Sequence, residues 1–343
     1  MTGLRAAFAL QSRACAALGS PFMERLMALC GERLPENGPI GARLFGWPGD
    51  VGPHGASLPL RLAGALHALV LAGDGPLAAA YPPHAVDDET LWAAVTDALA
   101  RHEADIQHWL DSAPQTNEVR RSAALIAVGN WLAARFGLPL RLSEPGASGG
   151  LNLMFDRYAL NTGDTRLGPD DAALTLTPDW RGTPPPRAAI AVTGRRGADL
   201  NPLNPARAED RLRLLAYLWP DQTDRRALTE AAIATAQAPV DRADAADWLA
   251  GRLDHRRGEA HLVYHTVAWQ YFPAEVQARY AALLAEAGAA ATPETPLAHF
   301  GMEGDGEPKG AALTLTLWPG AETFAMGRAD FHGRWIDWRA PAP

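Results

Sequence analysis

The sequence predicts an α/β protein in which a helical N-terminal part precedes a doubly wound, mostly parallel sheet. Three observations carry this. No convincing strand precedes Leu138. Beyond it, apolar runs bounded by turn residues alternate with helical stretches, the pattern of strand–helix–strand units. The chain then ends on two apolar runs, 311–318 and 323–326, joined by Pro319-Gly320-Ala321-Glu322. Such a hairpin makes an antiparallel edge on an otherwise parallel sheet.

Taken in order, Phe8, Ala14, Leu18, Phe22, Leu26 and Leu29 recur at helical spacing and give one apolar face. A Gly- and Pro-rich link follows, and helices are expected over residues 58–71, 88–110 and 119–136. Asp87 or Asp88 can cap the second of these. Gly137 and Pro139 stop the last. Strands are then expected at 140–143, 188–192, 240–242, 262–265 and 297–302, and helices at 209–219, 225–236, 245–253 and 275–287. Residues 157–186 are an insertion in which 174–177 can form a strand. The expected domains are a helical one over residues 1–137 and an α/β one over 138–343.

Composition narrows the partners. The chain has 343 residues and a net charge of −8, so no global basic field draws it to nucleic acid or to an anionic membrane. The paired arginines at 120–121, 195–196, 225–226 and 256–257 read as solvated surface. Only Cys15 and Cys30 occur, which leaves no disulfide framework and no thiolate metal cluster. The longest apolar stretch, 58–72, carries Arg61 and His67 and falls short of a membrane span. A cytoplasmic protein is the default expectation.

The stretch 140–153 organises the second part. A short strand leads into Glu144-Pro145-Gly146-Ala147-Ser148-Gly149-Gly150, and strand, glycine turn and helix is how such a sheet presents a ligand site. The dinucleotide pattern Gly-x-Gly-x-x-Gly fails, because Ser148 and Leu151 stand where glycines are needed. The phosphate loop fails at Leu151 and Asn152. Gly146-x-Ser148-x-Gly150 matches a nucleophile elbow, with Asp199, Asp244 or Asp305 and His265, His299 or His332 available downstream. That fold places several strands before its elbow, whereas here about 130 residues of apparent helix come first.

The stretch Glu144–Gly150 also resembles the Glu/Asp-x-Gly-x-Gly-x-Gly signature of class I S-adenosylmethionine-dependent methyltransferases, with Ser148 in place of the central glycine. Residues 194–202, with Asp199 among them, resemble that family's second strand, whose terminal acid binds the ribose hydroxyls. Residues 242–248 resemble the third, with Asp244 toward adenine. Residues 260–268 resemble the fourth, which ends under the reacting methyl group, and the terminal hairpin resembles the last pair. The resemblance implies a Rossmann-like methyltransferase-type sheet, S-adenosylmethionine as cofactor, and Glu144, Gly146, Ser148, Gly150, Asp199 and Asp244 as its binding residues. One departure stands out: Asp199 lies 49 residues past Gly150, against roughly twenty in dinucleotide folds of this kind.

Residues 115–122, 144–158, 197–202, 215–222, 264–266 and 332–335 carry a further resemblance, spread over most of the chain. In them the chain is similar to an uncharacterised bacterial family, domain of unknown function 2332. It implies a methyltransferase-like domain with a helical N-terminal part and brings no activity with it.

Three further groups are singled out. Asn117, Glu118 and Arg121 begin a helix; they can cap it, and they can also close over the glycine turn. His265 is the candidate general base, being near-neutral in chemistry and at a strand end. His261 shares its face, but no third ligand has a natural place for a metal, so no metal is expected. The reading is methyl transfer to an unknown small-molecule or protein-borne acceptor. The alternatives are a serine hydrolase using Ser148 and a non-catalytic metabolite-binding protein with a degenerate site.

Overall fold

The computed structural model describes residues 3–343, which form two compact units. The first holds residues up to 116 and then 206–227; the second holds 117–205 and 228–343.

The first unit is helical: α1 (Leu4–Ala17), α2 (Pro21–Arg33), α3 (Pro39–Phe45), α4 (Leu58–Leu71), α5 (Gly75–Ala78), α6 (Asp88–Arg101) and α7 (Glu103–Leu110). The periodicity from Phe8 to Leu29 is broken at Gly19, whose φ of +79° ends α1. Ser20 then caps α2 by accepting from Met23 N–H (3.3 Å), with Pro21 in the first turn. Helix α4 has the expected bounds and is buried almost all round, which its continuous apolar composition requires. Asp87 caps α6 through Thr90 N–H (2.8 Å). The single helix expected over 88–110 is two helices. His102 leaves the helical region, and its Nε2 and the Arg101 guanidinium both reach the buried Asp74 carboxylate at 2.7 Å.

The next helix, α8 (Ser122–Phe136), opens with a 3-10 turn at Val119–Arg121 and ends on Gly137 at φ +63°. It belongs to the second unit, so the boundary falls at 116/117 and not at 137. The reason is packing: Ala123 to Val128, Trp131 and Leu132 are part of the sheet's own core. Conversely, α9 (Ala208–Ala216) belongs to the first unit, and α10 (Thr223–Thr235) carries the last crossing between units.

The second unit contains β1 (Leu140–Pro145), then β2 (Ala159–Asn161), β3 (Arg166–Leu167) and β4 (Thr175–Leu176) as a small separate sheet in the insertion. Then come β5 (Asp179–Arg181), β6 (Val192–Asp199), β7 (Val240–Arg242), α11 (Ala245–Ala250), β8 (Ala260–Thr266), α12 (Ala274–Ala289), β9 (Leu297–Glu303), β10 (Ala311–Trp318), β11 (Glu322–Ala329) and β12 (Trp335–Trp338). The expected strand at 188–192 lies further on, so that Asp199 closes β6.

The large sheet has nine strands in the order β5-β12-β11-β10-β9-β8-β1-β6-β7. From β7 to β9 all neighbours are parallel, and β10 to β12 form an antiparallel meander. Residues 335–338, near the C-terminus, supply β12, which lies between β11 and the edge strand β5. Every residue of β1 and β8 is buried, as central parallel strands require. Helix α8 covers the face bearing Leu140, Leu142, Leu262 and Tyr264. Helices α11 and α12 cover the face bearing Val263 and Leu297. In chain order the parallel strands run outward from β1 to β7 and then return to its other side at β8. Such a reversal opens a crevice at the carboxyl ends of the two strands.

Candidate functional site

At that reversal β1 runs into the glycine turn. Gly146, Ser148 and Gly150 have φ of +74°, +53° and +71°, all left-handed. At Gly146 a Cβ would come within 2.6 Å of the Ala268 Cβ, which closes the loop after β8 onto the turn. Val267 in that loop also has φ +53°, an uncommon conformation for a β-branched residue. Strained backbone therefore flanks the crevice on both sides, as it often does at functional sites.

The turn's own donors are all in use. Gly146 and Ala147 N–H donate to Ala198 O (2.8 and 3.0 Å), and Gly150 N–H donates to Ala147 O (2.8 Å). Ser148 N–H donates to Asp199 Oδ2 (2.8 Å). Gly149 and Leu151 N–H both donate to Asn117 Oδ1 (3.2 and 3.0 Å). A phosphate cradle or an oxyanion hole needs free backbone donors, and this turn offers none from 146 to 151. The chain continues into a 3-10 helix at Asn152–Arg157.

Asp199 closes β6 beside the turn, and its second oxygen accepts from Asn201 N–H (2.8 Å). Asp244, following β7, caps α11 by accepting from Ala246 and Asp247 N–H (2.9 and 3.2 Å). Both carboxylates are half-buried and keep acceptor capacity, since a carboxylate has about four lone-pair sites. Glu144, at the end of β1, is buried and lies 3.5 Å from the Tyr264 hydroxyl. Burial pushes its carboxyl well above the usual range, and the charge of Asp199 adds to the shift. The Ser148 side chain is buried, and its Oγ makes no hydrogen bond.

Of the helix-start residues, Asn117 grips the turn and does not cap its own helix. The cap is Glu118, which accepts from Arg120 N–H (3.2 Å). Arg121 donates to Thr266 O (3.1 Å) and Phe331 O (2.9 Å), fastening the end of β8. Ser122 Oγ donates to Asn152 Oδ1 (2.7 Å).

His265 is buried near the end of β8, on the face opposite Glu144. Its Nδ1 lies 2.7 Å from Glu303 Oε1, and its Nε2 lies 3.1 Å from His299 Nε2. The ring stacks on Trp269 (centroids 5.2 Å apart) and meets the edges of Phe272 and Tyr280. Glu303 Oε1 also accepts from Ala268 N–H (3.0 Å), which ties this cluster to the loop packed on Gly146.

A family model described as an uncharacterised protein conserved in bacteria, DUF2332, matches residues 5–338. The chain belongs to this family. No curated protein and no solved structure matches it. Among the described residues no helix is long and apolar enough to cross a membrane.

In this family member, sequence reasoning missed Glu303 as the partner of His265. A signal existed: His299, Gly301 and Glu303 alternate along a strand and so share a face. His261 is held elsewhere, by Arg141 Nη2 (3.1 Å) and Ser143 Oγ (2.9 Å). Burial and the two nearby guanidinium groups, Arg141 and Arg252, push it well below the ordinary histidine range. Two arginines expected at the surface are not there. Arg195 forms a two-pronged pair with Asp156 (2.5 and 2.9 Å), and Arg225 is buried.

Proposed function

We propose that the second unit binds S-adenosylmethionine at the ends of β1 and β6 and catalyses methyl transfer to a small-molecule or protein-borne acceptor. The observation that carries the proposal is the placement of Asp199 against the glycine turn at the point where strand order reverses. The chemistry of the donor set supports it. Carboxylates stand at the ends of β1 and β6 and just beyond β7, while the turn has no backbone donor to spare for a phosphate. A ligand with cationic and hydroxyl groups and no phosphate suits that arrangement, and S-adenosylmethionine has this character.

In this reading Asp199 accepts from the ribose hydroxyls with lone pairs not used by Ser148 and Asn201, and Asp244 accepts from the adenine amino group. Gly146, half-buried and without a side chain, lets backbone approach the ligand. Gly150 and Ser148 hold the turn's shape, and Glu144 faces the cationic end. When bound, the cofactor supplies an electrophilic methyl group. The chain's own part is to align the acceptor, exclude water and receive a proton at the His265 cluster. Titration with S-adenosylhomocysteine tests this. A rise in melting temperature that Asp199→Asn abolishes supports it, and no rise at millimolar ligand contradicts it.

A hydrolase reading rests on Ser148, whose left-handed φ fits the strained turn of a nucleophile elbow but whose hydroxyl is buried and unpartnered where an elbow exposes it. Its Oγ bonds no histidine, and both ring nitrogens of His265 are engaged. Labelling of Ser148 by a fluorophosphonate would revive it.

A further inference from the structure

Two distances in the His265 cluster point to one protonation pattern. An ionised carboxylate only accepts, so His265 donates to Glu303 from Nδ1 (2.7 Å). A neutral His265 then presents an unprotonated Nε2 to His299. His299 must therefore donate from its own Nε2 across 3.1 Å, which leaves its lone pair on Nδ1. His265 Nε2, the atom a general base would use, is thus already occupied.

We propose that His299, Nδ1 first, is the proton entry of a two-histidine relay, and that Glu303 is the positioning residue that fixes its direction. This rests on the methyl-transfer reading only in taking the acceptor as the source of the proton. A proton released by the acceptor would bond to His299 Nδ1, the acceptor keeping the electron pair of the broken bond. The His299 Nε2–H bond breaks and its proton bonds to His265 Nε2. The positive charge then rests on His265 against the Glu303 carboxylate, and reversal of the path returns the proton to water.

The surroundings favour that end point. His299 is half-buried, and burial together with the neighbouring ring holds it well below the ordinary histidine range. Among the described residues, the other titratable group facing the cluster is Tyr280 from α12. Its hydroxyl is unpartnered, and burial pushes it far up, so it stays neutral. Trp269 and Phe272, both half-buried, pack against the His265 ring.

The test is ¹⁵N NMR of histidine-labelled full-length protein. The relay predicts His265 protonated at Nδ1 and His299 protonated at Nε2. Glu303→Gln keeps an acceptor oxygen and hence both tautomers. It removes the counter-charge, so the pair takes up its proton with about tenfold lower affinity or less, the effect of losing an opposite charge nearby. Glu303→Leu should move the His265 proton to Nε2. His265 protonated at Nε2 in the wild type, or an unchanged titration in Glu303→Gln, would overturn the relay; these two decide alone if Glu303→Leu does not fold. S-adenosylhomocysteine titrated into the same samples separates the two ideas. Absent binding removes the methyl-transfer reading and leaves the tautomer result standing.

Discussion

Asn117 Oδ1 accepts from the backbone N–H groups of Gly149 and Leu151, so one side chain at the first crossing between units holds the glycine turn closed. The turn owes its shape to this contact and to Asp199, which takes the N–H of Ser148.

Asn117→Ala should therefore leave two buried N–H groups without partners, at about 1–3 kcal/mol for each such group. The protein should unfold at lower denaturant, and amide exchange at Gly149 and Leu151 should accelerate. Asn117→Asp keeps an acceptor oxygen and should retain most of the protection. Unchanged exchange in Asn117→Ala would mean that the turn does not depend on this grip.

Gly146→Ala should destabilise through two separable effects. The left-handed backbone costs about 1–2 kcal/mol for a residue with a Cβ, and the new methyl would meet the Ala268 Cβ. Adding Ala268→Gly should recover the steric part and leave the backbone part. A double-mutant cycle measures the coupling, and strict additivity would refute the contact.

Glu144 gives a pH signature. Its folded-state carboxyl titrates well above the ordinary value of 4.5, so between those two points the folded state holds more protons than the unfolded one. Stability is then favoured below 4.5 and declines as pH rises through the folded-state value. Glu144→Gln should flatten that decline, and its advantage over wild type should grow with pH. Urea unfolding at several pH values checks this, and a constant difference between the two proteins would contradict it.

His67 in the first unit acts in the opposite sense. Burial brings it down to about 4, against 6.5 when unperturbed, while its Nδ1 lies 3.1 Å from Ala216 O. The unfolded state binds the proton first, so stability is complete above 6.5 and is lost as pH falls toward 4. His67→Gln should reduce the acid sensitivity of the first unit. An unchanged acid-unfolding profile would show that His67 is not the group responsible.

How much of this was legible in the sequence depends on the range of the contact. The strand that runs through Glu144 and the glycines of its turn are local signals, and the structure holds both at the expected positions. Asp199 was legible as an acid near a strand end, although the strand proved to begin at Val192. Asn117 was readable as a polar helix start, but which N–H groups it would take depended on a turn some 32 residues away. Glu303 was missed because its role comes from cross-strand pairing of β8 with β9, which no local spacing states. The unit boundary was missed for a similar reason. Ser122 to Ala133 looks like any buried helix, and only the partners it packs against assign it to the sheet.

The most direct test of methyl-donor binding is calorimetric titration of S-adenosylhomocysteine into the wild type, Asp199→Asn and Glu144→Gln. Saturable binding to the wild type with proton release is expected, because the ligand's ammonium group, set against Glu144, favours the ionised form of that carboxyl. Binding should be lost or at least tenfold weaker in Asp199→Asn, and it should persist without that proton release in Glu144→Gln. No heat of binding to folded wild-type protein, or equal affinity in Asp199→Asn, would contradict it.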